Sequence, residues 1–306
     1  MNLEGKTVAV TGASGFIGSH IALDLLDAGA KPRGVVRTPE KAAWLPGRGG
    51  TLAKADLADV AALTEAFRGA DAIVANAALY TLSYRSWKDF VDANLKGTEN
   101  TLDAAAAAGV KRVVYVSTCG VYKPKLTGTT TEDSPRLKES DRWWFPWAYP
   151  ITKAMAEDAA WERAKQHGLE LTVVRPGGVF GPRDFESVPQ FLFWMKWPVL
   201  PAIGFRFPFS HGGDVARGIR GALTNDASIG NAYNLSGEDV SIGEVMRAWK
   251  RAAGKGPWLT PAPFPLGLHF DNSAAKRDLG YANRPLDETM RDIHAWIAAG
   301  RPTAPT

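Results

Sequence analysis

Cysteine is nearly absent: Cys119 is the only one in 306 residues. A single thiol cannot close an internal disulfide, so the chain reads as a protein of a reducing compartment, and a cytoplasmic location is expected. Charge of one sign is also missing. Basic residues number 36 against 32 acidic ones, with no block of lysine and arginine, so no nucleic-acid partner is expected. The N-terminal MNLEGKTVAV lacks the basic-then-apolar order of a secretory leader. The most apolar later stretch, 191–205, is interrupted by Lys196, Pro198 and Pro201. It is too short to span a bilayer, and no membrane partner is expected. The five histidines, His20, His167, His211, His269 and His294, are scattered without metal-site spacing, so no metal is expected. No GxSxG nucleophile motif occurs either.

What the chain does have is alternation. Short apolar runs at 6–11, 32–37, 51–55, 71–75, 111–117 and 170–175 are separated by amphipathic or alanine-rich stretches at 16–28, 59–68, 87–108 and 150–167. Strands alternating with helices predict βαβ units and a parallel sheet. The expected fold is α/β: a doubly wound parallel sheet of Rossmann type over 1–180. Its ligands would lie beyond the carboxyl ends of the strands. Past residue 180 proline and aromatic residues become dense. Helices are expected at 213–223, 241–252 and 285–298, with a short strand at 232–235. This region, 181–306, is expected to form a smaller substrate-binding lobe, with some of its chain crossing back to the first domain.

The stretch TGASGFIGSH, residues 11–20, places Gly12, Gly15 and Gly18 between the first strand and the first helix. Glycine is costly in ordered backbone. Here it has a mechanical use: a tight turn, close approach of backbone N–H groups to a pyrophosphate at a helix N-terminus, and close helix–strand packing. The second strand ends GVVRT, with Arg37 and no carboxylate, and Lys41 follows. A carboxylate there would accept the ribose 2′-hydroxyl of NAD, whereas cations suit the 2′-phosphate of NADP. NADP(H) is therefore favoured, with NAD(H) the alternative.

TGxxGxxG after a first strand resembles the short-chain dehydrogenase/reductase superfamily. Further motifs point to its extended branch, the NAD-dependent epimerase/dehydratase family. These are ADL (55–57), DAIVANAAL (71–79), NLKGTEN (94–100), VYVSTCGVY (114–122), YPITK (149–153) and RPGGVFGP (175–182). The resemblance covers roughly 6–240. It implies cofactor contacts from Gly12, Ser14, Gly15, Phe16, Ile17 and Gly18. It adds Asp56 and Leu57 at the adenine, and Asn76 (where the family usually has His) with Ala77 and Ala78. Asn94, Ser117, Tyr149 and Lys153 complete the set with Pro176, Gly177, Gly178 and Val179, read as a loop along the nicotinamide.

Tyr149 and Lys153 lie four apart on a helical pattern and so share a face. A free phenol has a pKa near ~10, and a neighbouring ammonium is expected to pull it down. The resemblance implies that Tyr149 is the acid/base and Lys153 its partner. It also implies a hydroxyl from Thr118, with Ser117 as fallback, that holds the substrate oxygen during hydride transfer.

Two aromatic clusters, Trp143–Trp147 and Phe191–Trp197, are expected near the pocket mouth and suit an apolar, ring-bearing substrate. Around Tyr149 the sequence resembles dihydroflavonol-reductase and hydroxysteroid-dehydrogenase relatives. Gly177 and Gly178 stand where nucleotide-sugar epimerases usually carry Asn. The expected activity is NADP(H)-dependent interconversion of a carbonyl and a secondary alcohol. The alternatives are an NAD-dependent nucleotide-sugar epimerase/dehydratase and a non-catalytic NADP-binding regulatory protein. A homodimer through 87–108 and 150–167 is implied by the resemblance.

Overall fold

The computed structural model describes residues 1–81, 85–196, 205–257, 259–260 and 266–304. Its main sheet has seven parallel strands in the order β3-β2-β1-β4-β5-β6-β9. These are β1 (Thr7–Thr11), β2 (Lys31–Val36), β3 (Thr51–Lys54), β4 (Ala72–Ala75), β5 (Arg112–Val116), β6 (Glu170–Pro176) and β9 (Ala232–Leu235). The central strands are fully buried, so they read as continuous apolar runs. Successive side chains still point to opposite faces. Val8 and Val10 pack with α1 (Phe16–Asp27) and α7 (Gly212–Thr224). Ala9 faces the other way, toward α2 (Val60–Phe67), α4 (Gly97–Ala107) and α5 (Ala148–His167). Strand order reverses between β1 and β4, which opens a crevice at their carboxyl ends.

The expected helix at 87–108 is interrupted. α3 (Trp87–Phe90) passes through a π-helical turn, Val91–Lys96, into α4. Such turns insert an extra residue and re-aim side chains. Here the turn holds Asn94, which is buried.

A second sheet of three strands, β10-β8-β7, was not expected. It contains β7 (Gly178–Phe180), β8 (Arg206–His211) and β10 (Glu238–Ser241). The stretch 175–182 is therefore the end of β6 plus a strand rather than a loop, because Gly178 to Phe180 find a partner strand in β8. Beside this sheet, α6 (Ser187–Trp194), α8 (Ile242–Ala253) and α10 (Leu286–Ala298) enclose a separate core. That core includes Val188, Phe209, Met246, Trp249, Ile293 and Trp296. The helix α9 (Ser273–Leu279) contributes Ala275 and Leu279 to the core of the main sheet. No helix among the described residues is long and apolar enough to cross a membrane.

Candidate active site

A cleft of about 920 Å³ runs across the carboxyl ends of the main strands. The glycine turn after β1 lines it together with Ser14, Phe16 and Ile17. Gly12 has φ +69°, and a Cβ there would lie 3.1 Å from the Ala77 backbone. Gly18 is needed for a different reason: its Cβ would sit 2.1 Å from the Gly12 carbonyl oxygen. The turn thus folds tightly onto the helix it precedes. Gly15 is the N-cap of α1, and the first turn of α1 carries no acidic side chain. The first N–H groups of a helix have no intrahelical acceptor, and with the helix dipole they suit an anion. A dinucleotide pyrophosphate fits this cradle.

Thr11 Oγ1 accepts hydrogen bonds from the backbone of Asn76 and Ala77, both at 3.0 Å. Asn76 Nδ2 donates to Thr11 O at 3.3 Å. These bonds tie the end of β1 to the segment after β4, where Asn76, Ala77 and Ala78 line the crevice. At the far end stand Arg37, Lys41, Asp56 and Leu57. Arg37 Nε lies 3.9 Å from Asp56 Oδ2, and both side chains are exposed. No carboxylate comes from the end of β2 itself.

Thr118, Tyr149, Lys153, Ser117 and Pro176 to Val179 meet at the other end. Burial pushes the Tyr149 phenol above its ordinary range, and the neighbouring Tyr80 adds to this. A hydrogen bond with Thr118 opposes both. The expected lowering by Lys153 is not what the structure gives, because the Lys153 ammonium is itself desolvated. Burial drives Lys153 down to about 7, against the field of Glu157. Lys153 Nζ donates to Tyr115 Oη at 2.7 Å and to Val116 O at 2.8 Å.

The two candidate hydroxyls have different surroundings. Ser117 Oγ donates to Glu157 Oε2 at 2.6 Å in the interior. Thr118 Oγ1 accepts from Gly120 N at 3.1 Å and faces the phenol. Glu157, one turn beyond Lys153, is completely buried. It takes Arg175 Nη2 at 2.5 Å and Arg136 Nη1 at 2.7 Å. Burial raises its pKa, but the two guanidiniums outweigh this and hold it below the usual carboxylate range. Arg175 also donates to Tyr122 Oη at 2.5 Å, and Tyr122 donates to Asn234 at 2.7 Å. Cys119 belongs to the same layer: its thiol, pushed up by burial, donates to Arg175 O at 3.0 Å.

Asn94 does not reach the cleft wall, contrary to expectation. Its Oδ1 accepts from Leu79 N at 2.7 Å, and its Nδ2 donates to Leu79 O at 3.4 Å and Thr152 Oγ1 at 3.2 Å. The π-helical turn directs it inward, where it fixes the segment after β4 against α5. Among the described residues, neither aromatic cluster is part of the cleft lining. Trp143 and Trp147 are exposed, and Phe145 contacts Trp144 and Trp147 edge-on. Asp141 holds this turn by accepting from Lys138 N and Trp144 Nε1. Phe191 packs on Trp249 in the lobe core, which also buries Met195. Phe193 and Trp194 are exposed, and Trp197 lies outside the described residues. The cleft lining includes Leu79, Tyr80, Arg85 and Glu186 instead, with Tyr80 against Tyr149. Leu79 closes the DAIVANAAL motif, and no motif marks the other three in the sequence.

A Rossmann sheet whose crevice is lined by both a glycine cradle and a Tyr–Lys helix defines a nicotinamide-dinucleotide fold. The chain belongs to the NAD dependent epimerase/dehydratase family, which matches residues 8–236. This bears out the resemblance to extended short-chain dehydrogenases/reductases. Cinnamoyl-CoA reductase 1 of Petunia hybrida is 37% identical over 196 residues, 59% of this chain and 56% of that protein. Dihydroflavonol 4-reductase of Zea mays is 32% identical over 209 residues, 62% of this chain and 57% of that one. The chain spans about half the length of the curated relatives it matches. Among solved structures, yeast methylglyoxal/isovaleraldehyde reductase complexed with NADPH superposes with a TM-score of 0.85 at 24% identity, covering 97% of this chain and all of that one.

Proposed function

We propose that the protein interconverts a carbonyl and a secondary alcohol on an apolar, ring-bearing small molecule with NADP(H). One observation carries the reading: the hydroxyls of Thr118 and Tyr149 meet at one end of a cleft whose other end presents Arg37 and Lys41. The glycine turn and the first turn of α1 would hold the pyrophosphate, and Arg37 and Lys41 the 2′-phosphate. When bound, the nicotinamide supplies or accepts the hydride. Thr118 orients the substrate oxygen. Tyr149, kept protonated by burial, gives its proton to that oxygen as negative charge develops there. Lys153 holds the strand end through Val116 O and keeps a cation near the site while it is protonated. Reductases among the relatives support this chemistry.

The test is to denature the purified protein and identify any released nicotinamide by chromatography. NADP, or a site that takes up NADPH in preference to NADH, supports an exchanging reductase. Stoichiometric NAD favours the epimerase alternative, which recycles its cofactor within one turnover. A homodimer through α4 and α5 belongs to the same proposal and is checked by light scattering.

A further inference from the structure

Tyr80 belongs to no motif, yet its place is set by both its backbone neighbour and its ring. On the backbone side, Asn94 pins both the N–H and the carbonyl of its neighbour Leu79, and the same amide donates to Thr152 beside Lys153. The position of Tyr80 is thereby tied to the helix that carries Tyr149. On the side-chain side, its hydroxyl faces Ser187, the first residue of α6. Ser187 is held in turn by Asp184, whose Oδ1 accepts from Ser187 N at 2.8 Å and Glu186 N at 3.1 Å. Between these anchors the Tyr80 ring meets the Tyr149 ring edge-on, with centroids 5.1 Å apart at 73°. Edge-to-face contact at this separation is attractive and leaves no room for a ligand between the rings. About half of Tyr80 remains exposed, so its outer surface forms part of the cleft wall.

We propose that Tyr80 is a specificity-determining strut: braced between α5 and α6, it closes one side of the approach to Tyr149 and admits carbonyl compounds that are flat beside the carbonyl while rejecting bulky, branched ones. This rests on the oxidoreductase reading above and deepens it. A ligand must reach the Tyr149 phenol from the side that Tyr80 leaves open, where Thr118 faces the hydroxyl. A group that projects out of the carbonyl plane meets a ring that cannot swing aside without losing its packing on Tyr149.

The test uses the full chain loaded with NADPH. Bound-cofactor fluorescence is titrated with acetophenone and with 2-adamantanone, and turnover of each is measured in parallel. Tyr80→Ala should shift relative affinity and relative kcat/KM toward the bulky ketone by about tenfold or more, the scale of a lost packing constraint. Tyr80→Phe keeps the ring and its packing on Tyr149, and should shift them far less. Collisional quenching of bound NADPH by acrylamide should rise in Tyr80→Ala. Unchanged ratios and unchanged quenching in Tyr80→Ala, with both ketones turned over, would overturn the strut and leave the oxidoreductase reading standing. Raised quenching in a protein that neither binds nor reduces any carbonyl would uphold the wall and overturn that reading instead.

Discussion

Replacing Glu157 by Gln should be among the most destabilising conservative changes in this chain. The carboxylate is fully buried and accepts from Arg175, Arg136 and Ser117. Arg175 is itself only 4% exposed. Gln keeps the volume but removes the charge, which leaves the Arg175 guanidinium in the interior without a counterion. Breaking a buried pair in this way costs about 3–5 kcal/mol. Asp158→Asn is the internal control. It also pairs with Arg136, but its side chain is 59% exposed. Loss of an exposed pair costs less than about 1 kcal/mol. Urea unfolding of the three proteins at pH 7 gives the comparison. The sign of the pH dependence is fixed as well. Because the folded pKa of Glu157 is depressed, its contribution is complete above the ordinary carboxylate pKa and fades as pH falls through it. The gap between wild type and Glu157→Gln should therefore narrow below about pH 5. A gap under about 1 kcal/mol at pH 7, or one that persists unchanged into acid, would refute the reasoning.

Tyr149→Phe should leave NADPH affinity intact and lower turnover by about 10²–10⁴-fold, the usual worth of a positioned acid; unchanged turnover would remove Tyr149 from the proton step. Arg37→Asp should weaken NADPH by about tenfold or more relative to NADH, since it sets a carboxylate against the 2′-phosphate; equal weakening of both, measured by cofactor fluorescence, would assign Arg37 to folding. Lys153 is driven to about 7 by burial, well under its ordinary 10.5. Between those values the unfolded chain holds a proton that the folded chain does not, so stability without added cofactor should rise with pH there. Lys153→Met should flatten that rise, and parallel curves for the two proteins would show that Lys153 titrates normally.

The central parallel strands were legible because they are buried on both faces and almost wholly apolar, as AIVA in β4 and VVYV in β5 illustrate. The cradle was legible because only glycine fits where Gly18 meets the Gly12 carbonyl. The strands of the second sheet were hidden by their composition. Gly178 to Phe180 is three residues long, and RFPFSH mixes proline, serine and histidine into β8. Their pairing comes from tertiary contact rather than local preference. The π-helical turn left no trace either, since VDANLK continues a helical pattern. That is why Asn94 was placed at the cofactor instead of behind Leu79. Tyr80 escaped notice because a lone loop tyrosine has no spacing to read. Its position emerges only when α5 and α6 are brought together.

The placement of β9 governs what can be cut from this protein. Ala232 to Leu235 pair with Val173 to Pro176, so a strand from the last third of the chain completes the main sheet. A chain ending at 180 would leave β6 as a bare edge and strip away Val215, Ile219 and Leu235 from the face that α1 covers. Such an edge invites pairing with other chains. The lobe therefore cannot be exchanged as a single C-terminal cassette. A graft of new substrate specificity would need at least two separate segments, one carrying β7, α6 and β8 and another after β9, with α7, β9 and α9 kept against the main sheet.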